Sequence, residues 1–180
     1  MVPDRSPSPN RGSAASRPRT LYTPAERVRR DATVWTLVQG VLAPVQFVIC
    51  LISLVLVGRF LATGNGYETA AVSVVVKTAA LYAIMITGSI WEKAVFGRWL
   101  FAPAFFYEDA VSMLVIALHT AYLAMLVCGW GTPTDRFAVA LAGYASYGIN
   151  AAQFVFKLRA ARLEAGGDRA GAVDSARVLA

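Results

Sequence analysis

A chain of 180 residues that is 57% hydrophobic and only 16% charged is too apolar for an ordinary water-soluble domain. Its mean hydropathy of +0.52 and its several apolar runs near the length of a bilayer crossing mark a multi-span membrane protein, which excludes most soluble enzymes. The formal charge of +6 does not point to nucleic acid, because the basic residues gather before the first apolar run and after the last.

Residues 1–20 are rich in Pro, Ser and Arg and hold little to bury, so they are expected to be a disordered extension. Thr23, Pro24 and Glu26 have the spacing of an N-cap, a proline at the first helical position and a capping-box glutamate. They predict a short helix carrying Arg27, Arg29 and Arg30 along the membrane surface. Four spans follow, from about Val34 to Gly58, Ala70 to Trp91, Phe105 or Glu108 to Trp130, and Phe137 to Leu158. Pro44 is expected to bend the first. No cleavage site follows a short apolar core, so the first span is expected to stay in the mature protein.

The expected fold is therefore all-α, an integral membrane four-helix bundle with short loops and a cytoplasmic interfacial segment. Residues 21–164 form the four-span domain, and 165–180 a flexible tail. Arg27, Arg29, Arg30, Lys93, Arg98, Lys157, Arg159 and Arg162 fall at one set of helix ends, with Arg59 and Arg136 alone at the other. By the positive-inside rule both termini face the cytoplasm. Cys50 and Cys128 form no CxxC pair and no zinc-ligand cluster. The two halves show no internal repeat, which argues against an alternating-access transporter.

The second loop is the most unusual stretch. It runs Trp91, Glu92, Lys93, then Phe96, Trp99, Phe101, Phe105, Phe106 and Tyr107, then Glu108 and Asp109. Read as a site, it is a ring-lined shelf beside three carboxylates, able to hold a flat amphipathic ligand. Read blandly, it is a surface anchor with solvated helix-end charges.

At 100° per residue, Glu108 and His119 share a face of the third span with Ser112, Val115 and Tyr122, about 16 Å apart along the axis. They share a face without forming an acid–base pair. His119, the lone histidine, is either a helix-packing hydrogen bonder or a ligand contact. Lys77 either snorkels or pairs inside the span. Gln39 and Gln46 on the first helix, with Asn150, Gln153 and Lys157 on the fourth, make a polar inner face.

The stretches LYTPAERVRRDATVWTLVQGVLAP (Leu21 to Pro44), ITGSIWEKAVFGRWLFAPAFFYEDAVSMLVIALHTAYL (Ile86 to Leu123) and NAAQFVFKLRAARL (Asn150 to Leu163) carry a resemblance. Over about residues 20 to 164, the chain resembles the 3-vinyl bacteriochlorophyllide hydratase family, 2-vinyl in older ring nomenclature. The resemblance implies water addition to the C3 vinyl group of chlorophyllide or bacteriochlorophyllide, giving a 3-(1-hydroxyethyl) product. It implies no protein cofactor, since the magnesium belongs to the substrate macrocycle.

On that basis Glu108, Asp109 and Glu92 are the catalytic candidates, with Glu108 or Glu92 as acid and Asp109 as base. His119, Trp99, Phe105, Tyr107, Gln39, Asn150, Lys93 and Arg98 are the substrate-binding candidates, His119 also as a ligand of the substrate magnesium. The expected partners are the magnesium chlorin, membrane lipid and neighbouring pigment-biosynthesis enzymes, with a homo-oligomer compatible and no nucleic acid. The expected location is a bacterial inner or intracytoplasmic membrane. The competing reading is a pigment-binding or assembly subunit that performs no chemistry.

Overall fold

The computed structural model describes the backbone of residues 21–178 and the side chains of residues 21–163. The extension 1–20 lies outside the described residues. Five helices follow one another: α1 (Pro24–Ala32), α2 (Val34–Thr63), α3 (Tyr67–Phe96), α4 (Phe106–Cys128) and α5 (Pro133–Val178).

The capping box predicted for α1 is formed. The Glu26 N–H donates to Thr23 Oγ1 and the Thr23 N–H to Glu26 Oε2. Thr33 then separates α1 from α2: its extended backbone ends the first helix, and its hydroxyl accepts from the Trp35 N–H to begin the second. The start of α5 repeats the device. Pro133 occupies the first turn, the Thr132 N–H and hydroxyl donate to Asp135 Oδ2, and the Asp135 N–H donates back to Thr132 Oγ1. The Thr-Pro-x-acid pattern at 132–135 was as readable as the one at 23–26.

The helices outrun the predicted spans. α2 passes Gly58 and stops only at Gly64, whose φ of 73° turns the chain left-handed. α3 continues to Phe96 and is capped by Gly97 at φ 78°. The expected loop therefore begins at Gly97 rather than Trp91, and Glu92 and Lys93 lie on helix. α5 continues well beyond Leu158, through a stretch rich in the helix formers Ala, Arg, Leu and Glu.

Among the described residues three helices, α2, α3 and α4, are long and apolar enough to cross a membrane. The apolar part of α5 is interrupted by Tyr144, Tyr147, Asn150 and Gln153 and does not join that set. Packing is densest within two hairpin pairs, α2 with α3 and α4 with α5, and sparser between the pairs. Polarity is inverted relative to a soluble bundle. Leu37, Val41, Val48 and Val55 face outward, while Gln46, Ser53, Lys77, Thr78, Ser112 and His119 are buried. Hydrocarbon suits the outer surface, and helix-to-helix hydrogen bonds suit the interior.

Interior hydroxyls join the pairs. Ser53 Oγ lies 2.6 Å from the Tyr144 hydroxyl and 2.7 Å from Ser73 Oγ, tying α2, α3 and α5 together. At one end, Arg29 Nε donates to the Val95 carbonyl, holding α1 against the end of α3. At the other, Arg136 Nη1 donates to the Tyr67 hydroxyl.

Candidate active site

The loop between α3 and α4 folds back over the helix ends, and three carboxyl groups converge beneath it. Glu92 comes from the last turn and a half of α3, and Glu108 and Asp109 from the first turn of α4; all three are buried. Consecutive backbone groups of the loop hold two of them. The Phe101 N–H donates to Asp109 Oδ2 at 2.7 Å, and the Ala102 N–H to Glu92 Oε2 at 3.2 Å.

Phe101 adopts φ 57°, a left-handed conformation unusual for a bulky residue. Strain of that kind persists only where its surroundings enforce it, here by aiming an N–H at a carboxylate. Glu92 and Asp109 are also electrostatic neighbours beneath the loop.

Glu108 faces the other way around α4. Lys157 Nζ of α5 donates to its Oε2 at 2.6 Å, and the same ammonium lies 4.7 Å from the centre of the Phe105 ring. One turn further along, Asn150 Nδ2 donates to Ser112 Oγ at 2.7 Å. The buried face of α4 is Glu108, Ser112, Val115, His119 and Tyr122, the face its spacing predicts, with Asp109 added. Asp109 is buried as well because α3 and the loop cover the side of α4 that α5 leaves open.

An aromatic cluster seals this end. Phe105 packs edge-on to Trp91 and stacks on Phe154, while Tyr22, from the segment before α1, stacks on Phe96. The ring-lined shelf read from sequence is thus split. Phe105 and Phe96 turn inward, while Trp99, Phe106 and Tyr107 are exposed.

The remaining candidates are dispersed. Lys93 and Arg98 are exposed beside the loop, Lys93 Nζ donating to the Gly97 carbonyl. Gln39 is half-buried between α2 and α3, where its Nε2 donates to Thr87 Oγ1. His119 is fully enclosed deeper in the bundle. Its Nδ1 donates to the Val115 carbonyl, which leaves the Nε2 lone pair without a partner among the described residues. The ring lies against Gly143, where an added Cβ would sit 2.8 Å from Cε1. Lys77 does not snorkel: it is fully buried, its Nζ 3.8 Å from the centre of the Tyr147 ring.

Sequence reasoning brought Glu92, Glu108, Asp109 and Phe105 into one neighbourhood and put Asn150 on the polar inner face of the bundle. It did not assign Lys157, Ser112, Tyr22 or the Phe101 and Ala102 N–H groups to the site. For Lys157 a signal existed, since it lies seven residues from Asn150 on one helix face. For the backbone donors there was none.

Apolar outward faces on helices of spanning length, compatible with a multi-pass membrane protein, enclose at one end a cluster of carboxyl groups suited to acid–base chemistry. The chain belongs to the 2-vinyl bacteriochlorophyllide hydratase family, whose model matches residues 22–160. It is 59% identical over 163 residues to the 2-vinyl bacteriochlorophyllide hydratase of Rhodobacter capsulatus, covering 91% of this chain and 94% of that protein. It is 59% identical over 152 residues to the protein of that name from Cereibacter sphaeroides, covering 84% and 94%. No solved structure matches the chain.

Proposed function

We propose that this chain is an enzyme that adds water to the vinyl substituent of a magnesium-bearing bacteriochlorophyllide or chlorophyllide, forming a 1-hydroxyethyl group. The observation that carries this is the 59% identity, over nearly the whole chain, to two proteins named 2-vinyl bacteriochlorophyllide hydratase. The magnesium arrives with the substrate, and hydration of an alkene transfers no electrons, so the reaction calls on no redox cofactor.

Proton transfer to the terminal vinyl carbon leaves a cation on the ring-attached carbon, spread over the conjugated macrocycle. Water adds there and loses a proton to a base. The acid is the neighbouring buried pair Glu92 and Asp109, which gives up a proton held between them, and the Phe101 and Ala102 N–H groups stabilise the carboxylates left behind. Glu108, ion-paired with Lys157, is already a carboxylate and serves as the base toward water. Asp109 and Glu108 are electrostatic neighbours, which gives the proton a short return path. These roles reorder the expectation drawn from the resemblance: Glu92 with Asp109 supplies the acid, and Glu108 the base.

In this reading the first half of α5 is a fourth crossing, since it packs along α4 from a short connection and must traverse the same depth. Arg29, Lys93 and Lys157 gather at the carboxyl end of the bundle, which therefore faces the cytoplasm of a bacterial inner or intracytoplasmic membrane, with lipid around it.

The test uses purified protein in lipid nanodiscs with a magnesium 3-vinyl chlorin in water carrying heavy oxygen. The expected product is a hydroxyethyl chlorin containing one labelled oxygen. Pigment binding without incorporation would replace the hydratase by a pigment-binding subunit.

A further inference from the structure

Between α2, α3 and α5 lies a partly open groove of about 640 Å³. Small residues make its floor, Ala43 and Pro44 from α2 with Gly148 and Ala151 from α5, and the rings of Phe47 and Phe154 flank it. The room is real: a Cβ added at Gly148 would meet nothing within 4 Å. Its volume and lining suit a large and largely apolar ligand.

Two side-chain amides in that lining, Gln46 and Asn150, have an oxygen without a partner among the described residues, and Gln46 has its nitrogen unpaired as well. Gln46 is 2% exposed. A primary amide held in hydrocarbon with both ends unpaired is costly, on the order of a lost hydrogen bond at each end. A ligand that meets it removes that cost. The amide oxygen is a hard donor of the kind magnesium takes.

We propose that this groove seats the pigment macrocycle and that the Gln46 amide oxygen is the axial ligand of its magnesium. The inference rests on the reading of the chain as a hydratase of a magnesium chlorin, and it supplies the binding half of that site.

Depth agrees with the chemistry. Asn150 lines the same groove as Gln46 and donates to Ser112, which lies four residues and about 6 Å along α4 from Glu108. A macrocycle centred at Gln46 carries its rim substituents about one helical turn toward the carboxyl groups. Phe154 is both a wall of the groove and the partner stacked on Phe105, so the groove runs up to the aromatic cluster over the site. His119 Nε2, another buried atom without a partner among the described residues, does not line the groove and lies about 16 Å along α4 from Glu108. Magnesium held there would keep the vinyl group away from the carboxyls.

The experiment titrates nanodisc-embedded protein with a magnesium 3-vinyl chlorin and with its magnesium-free counterpart, following fluorescence, and records resonance Raman markers of magnesium coordination. Wild type is expected to prefer the magnesium pigment by about tenfold. Gln46→Leu should lose the preference while binding the magnesium-free pigment as wild type does. Gln46→Glu, which keeps an oxygen donor, should restore it, and His119→Ala should retain it. Gly148→Trp, which fills the groove, should weaken binding of both pigments by more than about tenfold.

An undiminished preference in Gln46→Leu, or its loss in His119→Ala alone, overturns the assignment of the ligand. Normal pigment binding by Gly148→Trp makes the groove a site for lipid chains and overturns the seat. If labelled oxygen is incorporated in each of these cases, the hydratase reading survives. A wild-type protein that binds neither pigment removes both.

Discussion

Three buried carboxyl groups at the end of an apolar bundle are individually expensive, and each is offset in a different way. Glu108 has the Lys157 ammonium, and Asp109 and Glu92 have adjacent backbone N–H groups. Glu92→Gln and Asp109→Asn are each expected to lower turnover by roughly 10²- to 10⁴-fold with pigment binding near wild type. Single-turnover assays beside binding titrations check this, and near-normal turnover in both variants would reject the shared proton as the catalytic acid.

The same residue-level logic applies at Gly143, where a methyl group would stand 2.9 Å from His119 Nδ1. The ring is fully enclosed and hydrogen-bonded to Val115, so it has nowhere to move. Gly143→Ala is expected to cost about 1–3 kcal/mol in detergent unfolding. The double variant with His119→Ala should lose less than the sum of the two single changes.

Among the elements, the pairing of α2 with α3 and of α4 with α5 leaves the weaker seam between the hairpins, and hydroxyl groups bridge it. Ser53 sits at the junction, fully buried, reaching Ser73 on α3 and Tyr144 on α5. Association of helices in hydrocarbon draws little on burial of apolar area, so such contacts matter out of proportion to their number. Ser53→Ala and Tyr144→Phe should each destabilise the bundle by about 0.6–1.7 kcal/mol and be strongly non-additive. Additive losses in unfolding midpoints would mean that the two hydroxyls act separately.

Across the whole molecule, charge and shape agree. Among the described residues, the basic side chains of α1, the end of α3 and the middle of α5 meet at the carboxyl end, and Arg59 and Arg136 lie at the other. Reporter fusions or cysteine labelling should find Asn65 and Gly131 on the outer side and both termini in the cytoplasm. Labelling of Gly131→Cys and of a cysteine introduced after residue 164 from the same side would remove the fourth crossing and with it the closed bundle.

Much of this was settled by one-dimensional information. Apolar run length marks three of the four expected spans, the Thr-Pro-x-acid pattern starts α1, and 100° periodicity gives the buried face of α4 from Glu108 to Tyr122, because these depend on neighbours within a turn or on hydrocarbon thickness. Helix ends were harder, since in hydrocarbon a helix continues until a left-handed glycine such as Gly64 or Gly97 releases it, and apolarity fades sooner than that. The site itself depended on packing. That Glu108 takes Lys157 across 49 residues, that Glu92 turns from a loop expectation into a helical neighbour of Asp109, and that Gln46 faces a groove with no partner are facts about which helices lie side by side. Local periodicity tells which way a residue points on its own helix; only the assembled bundle decides what it meets there.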